Sequence, residues 1–441
     1  MKVASAPINI SVNPLPTGDW IAQYLAANPL LPGKWSDAVE GMGGLNSYHD
    51  PNAQASGLTS NGASISGKLI TTKSPHSMPV GKQVFIRGSS LGGQTAAITS
   101  VTANTITIDK TVAAPATVDV RLFPDYFTRS TPFEDEVGGG FLDWNAQFYY
   151  DPVTGLHTVG GGVGSAPSYD DAQYKTWRIR YDPRTNKWYK RWNPLGRGGS
   201  HHYSSNAIDT VGRFYYRETS AFSLDDDTAA PVIRGGAPAD TSVAPAFCFH
   251  EHLGRLYRMT GNGRVCHWNA ATGWSPHQTF SGLGNHPIAS YLSGAKTIVF
   301  GGGNSPANKF YKIDPSGEIS ALDDIPASRM PVSGVSTMLL DVGFADRLIV
   351  MQDAFESGVN PRPQIGWLKP NAPSGQQWQE SPDVIPPVLA SYGGVKRELA
   401  ACGIRHLGIV MVMRYRASGM LTAANPADRR CAVWFYRPSA A

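Results

Sequence analysis

The chain has little charge. Asp, Glu, Lys and Arg make up 16% of its 441 residues, against roughly 25% in ordinary globular domains. Disordered chains are highly charged and poor in aromatic residues, so the 11 Trp, 18 Tyr and 16 Phe argue against disorder. The formal net charge of +4 is weak, and nucleic-acid-binding domains concentrate Lys and Arg in stripes. We therefore expect no nucleic-acid partner. The densest basic cluster, which we expect to form a solvated outer face, consists of Arg178, Arg180, Arg184, Lys187, Lys190 and Arg191.

Long apolar runs and cysteine pairs are also missing. No run of 18 apolar residues occurs, so we expect no membrane-spanning segment. Met1–Pro16 has one Lys, three Pro and no continuous apolar stretch, unlike a secretory signal. The four cysteines form no CxxC pair and lie in apolar, strand-like contexts, which indicates buried free thiols rather than disulfides or metal ligands. This fits synthesis in a reducing cytoplasm. The cysteines are Cys248, Cys266, Cys402 and Cys431.

Turn-forming residues are abundant. The 47 Gly and 33 Pro disfavour long helices and predict a mostly β protein. One hairpin pattern recurs: a hydrophobic strand, a turn with Asp-Pro, Asn or Gly, and then Trp or another apolar residue. Its copies are Trp177–Trp188, Val265–Trp274, Phe310–Ile319 and Ile365–Trp378.

A second short strand, often closed by small residues, recurs between these hairpins at intervals of 42 to 60 residues. This spacing suits blades of four strands, so the predicted fold is all-β, a six-bladed β-propeller. The six copies are Leu156–Gly162, Arg213–Arg217, Arg255–Gly261, Thr297–Gly303, Arg347–Asp353 and Leu407–Met413.

The last and second predicted blades depart from the repeat pattern. The last hairpin, Cys431–Pro438, lacks an outermost strand, and Gly33–Gly44 resembles the segments that follow the other hairpins. We therefore expect Lys34–Asp37 to supply that strand and close the ring. In the second blade, Ser220–Gly235 has to serve as the outer hairpin although it lacks the Trp.

The propeller pattern stops after Gly43–Pro51 and resumes at Gly138–Asp151. The stretch between them is rich in Thr, Ser, Ala, Val and Ile and contains no Trp. From about residue 67 to 122 it predicts five or six short strands, which we interpret as a small barrel-like or sandwich-like domain inserted in the first blade. The predicted division is 1–32, N-terminal arm; 33–55, closing strand and start of the propeller; 56–130, inserted domain; and 131–441, propeller body.

Two patterns resemble known families. The Gly-Gly strand ends and the hairpin Tyr181–Trp188 resemble kelch-type repeats, as in the central domain of galactose-oxidase-like proteins, over residues 138–441. A full kelch consensus is missing from some blades. This resemblance implies only the fold, because kelch-like propellers include enzymes, scaffolds and lectins. Gly81–Val112, with a Gly-rich turn before Asn-Thr-Ile-Thr-Ile, resembles small β modules of bacteriophage tail and fibre proteins, which implies a virion component.

Five polar clusters are candidates for binding chemistry. His201–Tyr203 and His250–His252 each offer two imidazoles, but a metal site needs further ligands that the sequence does not place. Leu224–Asp227 and Asp323–Asp324 offer oxygen ligands without the spacing of a calcium loop. Glu134–Glu136 suits a glycosidase only if a second carboxylate lies nearby. For the first four we favour loop solvation or hydrogen bonding, and Glu134–Glu136 stays open as an acidic cluster that faces the channel. The sequence therefore assigns no catalytic residue, no metal and no cofactor.

The sequence favours a non-catalytic function without deciding it. The first hypothesis is a bacteriophage structural or adhesion protein of the tail, fibre or capsid surface, with a propeller face that binds protein or glycan. Its expected partners are other virion proteins or a host surface glycan, in a homo-oligomer or symmetric assembly. The expected location is the virion, after synthesis in the host cytoplasm. The alternatives are a carbohydrate-active hydrolase or oxidase with its site at the channel mouth, and a kelch-type protein-interaction scaffold.

Overall fold

In the part of the chain that the computed structural model describes, strands are the main regular secondary structure, and they form seven antiparallel sheets. Among the described residues no helix is long and apolar enough to cross a membrane. The residues that the structure describes are 18–39, 42, 59–87, 94–123, 127–128, 148–159, 177–192, 206–216, 220–225, 232–233, 235–240, 245–304, 307–329, 332, 337–352, 364–386, 399–415 and 431–439.

Six of the sheets are built from hairpins that follow one another along the chain. Sheet 1 contains β7 (Tyr149–Asp151), β8 (Gly155–Val159), β9 (Trp177–Asp182), β10 (Lys187–Trp192) and β6 (Phe127–Thr128). Sheet 2 contains β11 (Ala207–Asp209), β12 (Phe214–Tyr216), β13 (Ser220–Ser223) and β14 (Val232–Ile233). Sheet 3 contains β15 (Ala246–His250), β16 (Arg255–Met259), β17 (Arg264–Asn269), β18 (Gly273–Trp274) and β19 (Gln278–Thr279).

Sheets 4 to 6 follow the same plan. Sheet 4 contains β20 (Ile288–Leu292), β21 (Thr297–Gly301), β22 (Phe310–Ile313) and β23 (Ile319–Ala321). Sheet 5 contains β24 (Thr337–Leu340), β25 (Leu348–Gln352), β26 (Gln364–Leu368) and β27 (Trp378–Glu380). Sheet 6 contains β28 (Leu399–Ile404), β29 (Ile409–Tyr415), β30 (Cys431–Arg437) and β1 (Lys34–Trp35). The predicted hairpins and the strands between them are therefore confirmed where they are described.

The first strands of these sheets form a ring. β7 contacts β11, β11 contacts β15, and so on through β20, β24 and β28, which contacts β7 again. Each pair of neighbouring sheets also shares a hydrophobic core cluster. Sheets stacked face to face around a common axis define a β-propeller, and that is the fold.

The cores explain why the strands read as continuous hydrophobic runs. Successive side chains of a strand point to opposite faces of its sheet. In β21, Ile298 belongs to the cluster shared with sheet 3, whereas Val299 belongs to the cluster shared with sheet 5. Both faces are therefore covered, and every residue of β21 is buried.

The hairpin turns are formed by the side chains that the sequence pattern identifies. Asp182, Asn269 and Asp314 each end a strand or follow it directly, and each accepts a hydrogen bond from the backbone N–H two residues later, at 3.0, 2.9 and 2.8 Å. Such turns are the local preference of Asp and Asn. Gly155 has a φ of +96°, and a Cβ there would lie 2.0 Å from the carbonyl oxygen of Tyr181, so the turn requires glycine.

The predicted pairing of the N-terminal strand with the last hairpin is present. Lys34 and Trp35 pair with Arg437 and Tyr436, and Val39 forms a further bridge with Val433. The regular strand is two residues long, shorter than the four expected.

The N-terminal arm contains a helix that the sequence analysis did not predict. α1 (Trp20–Ala27) begins after Asp19, whose side chain accepts a hydrogen bond from the N–H of Ala22 at 3.0 Å. Its buried residues Ile21 and Leu25 pack in the core cluster between sheets 1 and 6. The overall excess of Gly and Pro hid this short amphipathic segment.

The seventh sheet, here the module sheet, corrects the prediction of five or six short strands. It has four: β2 (Thr59–Thr71), β3 (Gln83–Arg87), β4 (Gln94–Val101) and β5 (Thr105–Phe123). β5 is continuous because Pro115 falls where the pairing with β2 is irregular, between Val112 and Ala116, and a bulge tolerates the missing N–H.

The module sheet closes partly on itself, since β3, β4 and β5 all pair with one another while β2 runs along β5. Its buried side chains form a core cluster drawn only from residues 63–120. The two residues of β6 lie within the predicted inserted segment but pair with β10 of sheet 1. The division of the chain into domains stays a prediction.

Candidate functional site

The ring of first strands surrounds a cavity of about 80 Å³. Every first strand contributes to its wall, for example through Tyr149, Ile208, Phe249, Tyr291, Leu339 and Cys402. The turns that follow these strands form one end of the channel, which we call the mouth. The mouth is the candidate functional site because it collects charged side chains from several sheets.

Arg405 lies at the centre of the mouth. It follows β28 of sheet 6, and its Nη1 lies 3.0 and 3.2 Å from the two carboxylate oxygens of Glu251, which follows β15 of sheet 3. Its Nε lies 2.8 Å from Oδ2 of Asp341, which follows β24 of sheet 5. Sheets 3 and 6 are opposite each other in the ring, so this guanidinium bridges the channel.

Two further hydrogen bonds extend the network. The Thr210 hydroxyl of sheet 2 donates to Glu251 at 3.1 Å. Asp341 accepts from the N–H of Ser293 in sheet 4 at 2.9 Å and from the N–H of Gly343 in its own turn at 2.8 Å. One network of charged and polar groups therefore joins sheets 2 to 6 at the mouth.

Electrostatics favour this arrangement. Burial alone would lower the pKa of Arg405, but the negative charges of Asp341 and Glu251 outweigh it and raise that pKa. Arg405 is therefore held in its charged form.

Asp209, at the end of β11, shows the opposite balance. Burial raises its pKa in spite of hydrogen bonds from its own turn, and the charge of Glu251 raises it further.

A second ion-pair network joins sheets 1 and 2. The fully buried Asp151 accepts from both terminal nitrogens of Arg213, at 2.6 and 2.8 Å. Hydrogen bonds to Asp151 and to Asp225 raise the pKa of Arg213, and Arg213 in turn lowers the pKa of Asp225. Asp225 belongs to the predicted acidic run Leu224–Asp227, and it serves here as an ion-pair partner. Asp226 and Asp227 lie outside the described residues.

The cap of helix α1 contacts the turn that carries Arg405. The carboxylate of Asp19 accepts from the Tyr150 hydroxyl at 3.2 Å and lies 3.6 Å from Nε2 of His406, the residue after Arg405. The ring of Tyr150 stacks on the imidazole of His406 at 5.3 Å. The helix cap is thus tied to the turn that carries Arg405.

The two histidines of His250–His252 do not form a pair. β15 ends at His250, which is buried, with its Nε2 3.1 Å from the carbonyl oxygen of Asp314. Burial lowers the pKa of His250. His252 is exposed in the turn, as expected. The expectation of a solvated position is therefore wrong for His250, because the adjacent sheet 4 hairpin covers it.

Asp323 and Asp324 form loop contacts, as expected. Asp323 accepts from the Ser374 hydroxyl at 2.5 Å and the Gly375 N–H at 2.7 Å, and Asp324 pairs with Lys309. His201–Tyr203 and Glu134–Glu136 lie outside the described residues. Within the described part of the chain, no group of three His, Cys, Asp or Glu side chains is placed to hold a metal ion.

The cysteine prediction is confirmed for Cys248, Cys266 and Cys402, which are free and buried. Burial raises the pKa of Cys266 to about 11 and raises those of the other two further. The predicted solvated basic face is wrong for Arg180. This residue is buried, and its Nη1 donates to the carboxylate of Asp182 and to the carbonyl oxygen of Thr154, in the turn between β7 and β8, at 3.1 Å each.

Sequence reasoning missed the centre of the site. Arg405, Asp341 and Thr210 lie in turns between a first and a second strand, and the repeat pattern marks those turns only as connections. A usable signal existed, since a polar or charged residue directly follows several first strands. Nothing in the spacing indicated that these residues meet.

No protein-family model matches the chain, and no curated protein matches its sequence. Among solved structures, it is similar to a Bacteroides thetaiotaomicron protein of unknown function at 11% identity and TM-score 0.38, over 89% of this chain and 100% of that one. An auxiliary nutrient binding protein from Bacteroides ovatus matches at 11% identity and TM-score 0.41, over 88% and 99%. The Cps50 (Swd1) β-propeller domain from Myceliophteria thermophila matches at 9% and 0.37, over 66% and 98%. The fold assignment rests on the cyclic strand contacts, not on scores of this size.

Proposed function

We propose that the protein is a non-catalytic binding component of a bacteriophage particle. In this proposal sheets 1 to 6 are the six blades of a kelch-like propeller, and residues 56–130 are an inserted β module. The cyclic contacts of the first strands and the core clusters between all neighbouring sheets support six blades. The separate core of the module sheet supports an inserted unit, and the resemblance of Gly81–Val112 to phage modules supports the virion role.

The observation that carries the non-catalytic part is the bridge formed by Arg405. Charge-assisted hydrogen bonds are roughly twice as strong as neutral ones, and here they engage both oxygens of Glu251 and one of Asp341. The charges at the mouth are used to hold opposite sheets together. Partners then bind to outer surfaces of the propeller, where loops and half-buried aromatic residues are accessible.

A combined binding and turnover assay tests this proposal. Purified protein is titrated against an array of host-surface glycans, and the same glycans are analysed for cleavage or oxidation after prolonged incubation. We expect binding of at least one glycan and recovery of every glycan unchanged. Turnover that disappears in Glu251→Gln would overturn the non-catalytic proposal, because that variant keeps the shape of the mouth and removes only the carboxylate.

The second candidate is a carbohydrate-active hydrolase at the mouth. Its support is that Glu251 and Asp341, two carboxylates, lie within hydrogen-bond distance of one guanidinium, and glycoside hydrolysis uses a carboxylate pair. This candidate predicts glycan cleavage by the wild type and loss of cleavage in both Glu251→Gln and Asp341→Asn. The same incubation therefore decides between the two candidates.

A further inference from the structure

Arg347, at the end of the turn that follows β24, is a buried cation without a hydrogen-bonded partner among the described residues. Its side chain is 10% exposed, and the closest carboxylate oxygen in the described part of the chain, Oδ1 of Asp346, lies 3.6 Å from its Nε. That Nε is buried and makes no hydrogen bond to any residue that the structure describes. By contrast, the buried guanidinium of Arg329 donates from its Nε to Glu380 at 3.1 Å. Burying a charge is costly unless it is paired and hydrogen-bonded, so this position lacks an acceptor.

Two aromatic rings hold the guanidinium in place. Its Cζ lies 4.5 Å from the ring centroid of Phe344 and 4.9 Å from that of Trp367. Cations are attracted to the faces of aromatic rings, and a stacked guanidinium keeps the N–H groups at its edge available. The indole Nε1 of Trp367 is also buried and, within the described residues, has no hydrogen-bond partner. The rings therefore fix the cation and satisfy none of its donors.

A second cation lies beside the first. Lys369 directly follows β26, and its Nζ lies 3.8 Å from Oδ2 of Asp346 and 6.0 Å from the ring centroid of Trp367. One carboxylate thus faces both cations, and both distances are longer than a hydrogen bond. Two positive charges and one negative charge leave a net charge of +1. Asp346 is 56% exposed, so the cluster reaches the surface there. We call Phe344, Asp346, Arg347, Trp367 and Lys369 the Arg347 cluster.

The turn that carries Arg347 is held on both sides. Asp341, at the start of the turn, accepts a hydrogen bond from the N–H of Gly343 at 2.8 Å. A Cβ at Gly343, where φ is +86°, would lie 2.9 Å from the carbonyl oxygen of Arg405 in sheet 6. On the other side, a Cβ at Gly294 in sheet 4 would lie 2.5 Å from Cα of Ala345. The turn is therefore positioned before any ligand arrives, which lowers the entropy cost of binding.

An oxyanion supplies the acceptors that the cluster lacks. The edge of a guanidinium binds the two oxygens of a carboxylate or a sulfate through parallel hydrogen bonds, and Lys369 adds a second positive charge. The net charge of +1 suits a ligand group with one negative charge. We propose that the Arg347 cluster binds a singly charged oxyanion, a carboxylate or a sulfate ester, either as a free anion or as part of an acidic glycan. The site uses neither carboxylate of the Arg405 bridge and does not depend on the virion function.

Calorimetric titration of the full chain at low ionic strength tests the proposal, because salt screens partly exposed charges. The probes are galacturonate, methyl sulfate and hexagalacturonate, with maltohexaose as the neutral comparison. We expect the anions to bind and maltohexaose not to bind. Hexagalacturonate that binds at least tenfold more tightly per carboxylate than galacturonate would assign the oxyanion to an acidic glycan. Equal affinity per carboxylate would assign it to a free anion.

Five variants locate the binding. Asp346→Asn removes the carboxylate that competes with the ligand and removes no donor, so it should tighten anion binding at least threefold. Lys369→Gln should weaken it at least threefold. Arg347→Lys keeps the charge but loses the planar edge, and should weaken binding at least tenfold. The matched controls are Asp324→Asn and Lys309→Gln, which change the same charges in an ion pair elsewhere and should stay within twofold of the wild type.

The thermal unfolding midpoint of each variant separates loss of binding from loss of folding. If Arg347→Lys unfolds early, Asp346→Asn and Lys369→Gln decide, because both side chains lie at the edge of the cluster and change the affinity in opposite directions. The proposal is overturned if none of the anions binds, or if maltohexaose binds as tightly as they do. It is also overturned if Asp346→Asn and Lys369→Gln differ no more from the wild type than their controls do.

Discussion

Arg405→Ala is the perturbation that tests the bridge across the channel most sharply. It would leave Glu251 and Asp341 at the mouth without their cation. Removing one partner of a buried ion pair costs about 3–5 kcal/mol, whereas an exposed pair is worth about 0–1 kcal/mol. The side chains of Asp341, Glu251 and Arg405 are 5%, 17% and 35% exposed. Because a third of the Arg405 side chain is exposed, we expect the free energy of unfolding to fall by about 2–3 kcal/mol.

Urea unfolding of the full chain, followed by tryptophan fluorescence, measures this loss as a shift of the midpoint at unchanged slope. The matched control is Arg184→Ala, because the Arg184 side chain is 45% exposed and pairs with Asp182 at 2.9 Å. It should cost less than about 1 kcal/mol. A second arm adds Glu251→Gln and Asp341→Asn to Arg405→Ala and should recover part of the loss, since the uncompensated charges are gone.

The reasoning is refuted if Arg405→Ala destabilises no more than the Arg184 control. It is also refuted if neutralising both carboxylates in the Arg405→Ala background makes the protein less stable still.

Three further predictions concern other parts of the structure. Gly366→Ala should lower the free energy of unfolding, measured in urea, by roughly 2 kcal/mol. The reason is that a Cβ at Gly366 would lie 2.2 Å from Nη2 of the buried Arg329 and displace its hydrogen bonds. The control Gly236→Ala, where a Cβ meets open space, should change that free energy by less than about 0.5 kcal/mol, and equal effects of the two variants would contradict the packing. Burial would raise the pKa of Asp383, but hydroxyl and backbone donors of the C-terminal segment hold it below 3.8. The stabilisation by ionised Asp383 is therefore complete above pH 3.8 and is lost as the pH falls through the lower pKa of the folded state. Asp383→Asn should therefore reduce the loss of unfolding free energy at acid pH, and an unchanged acid dependence of that free energy would contradict the prediction. Burial also raises the pKa of Cys402, so iodoacetamide at pH 8 should label the native thiol far more slowly than the unfolded one, and equal rates in mass spectrometry would contradict its burial.

The sequence predicted the hairpins well because their signals are local. Asp182 and Asn269 fix turns through their own side chains, and inner strands such as β21 are buried on both faces and read as continuous hydrophobic runs. Closure by the N-terminal strand was also predictable, since Lys34 and Trp35 repeat the pattern that follows the other hairpins. These features depend on a few residues each.

Features that depend on competing local signals were less accessible. The sequence predicted separate short strands where β5 is continuous, because Pro115 lies in a bulge and does not end the strand. Asp19 caps an eight-residue helix in a chain whose overall composition disfavours helices, and only the apolar spacing of Ile21 and Leu25 marked it. In both cases the tertiary packing outweighed the composition.

The mouth was not predictable from spacing at all. Glu251 and Arg405 are 154 positions apart in the chain, and only the closure of the ring brings sheets 3 and 6 opposite each other.

The central claim, that the protein is a binding component of a bacteriophage particle, is tested most directly by quantitative mass spectrometry of gradient-purified particles. We predict that peptides of this chain co-purify with the particles in multiple copies relative to the other particle proteins. Abundant peptides in the infected-cell lysate, together with their absence from the purified particles, would contradict the claim.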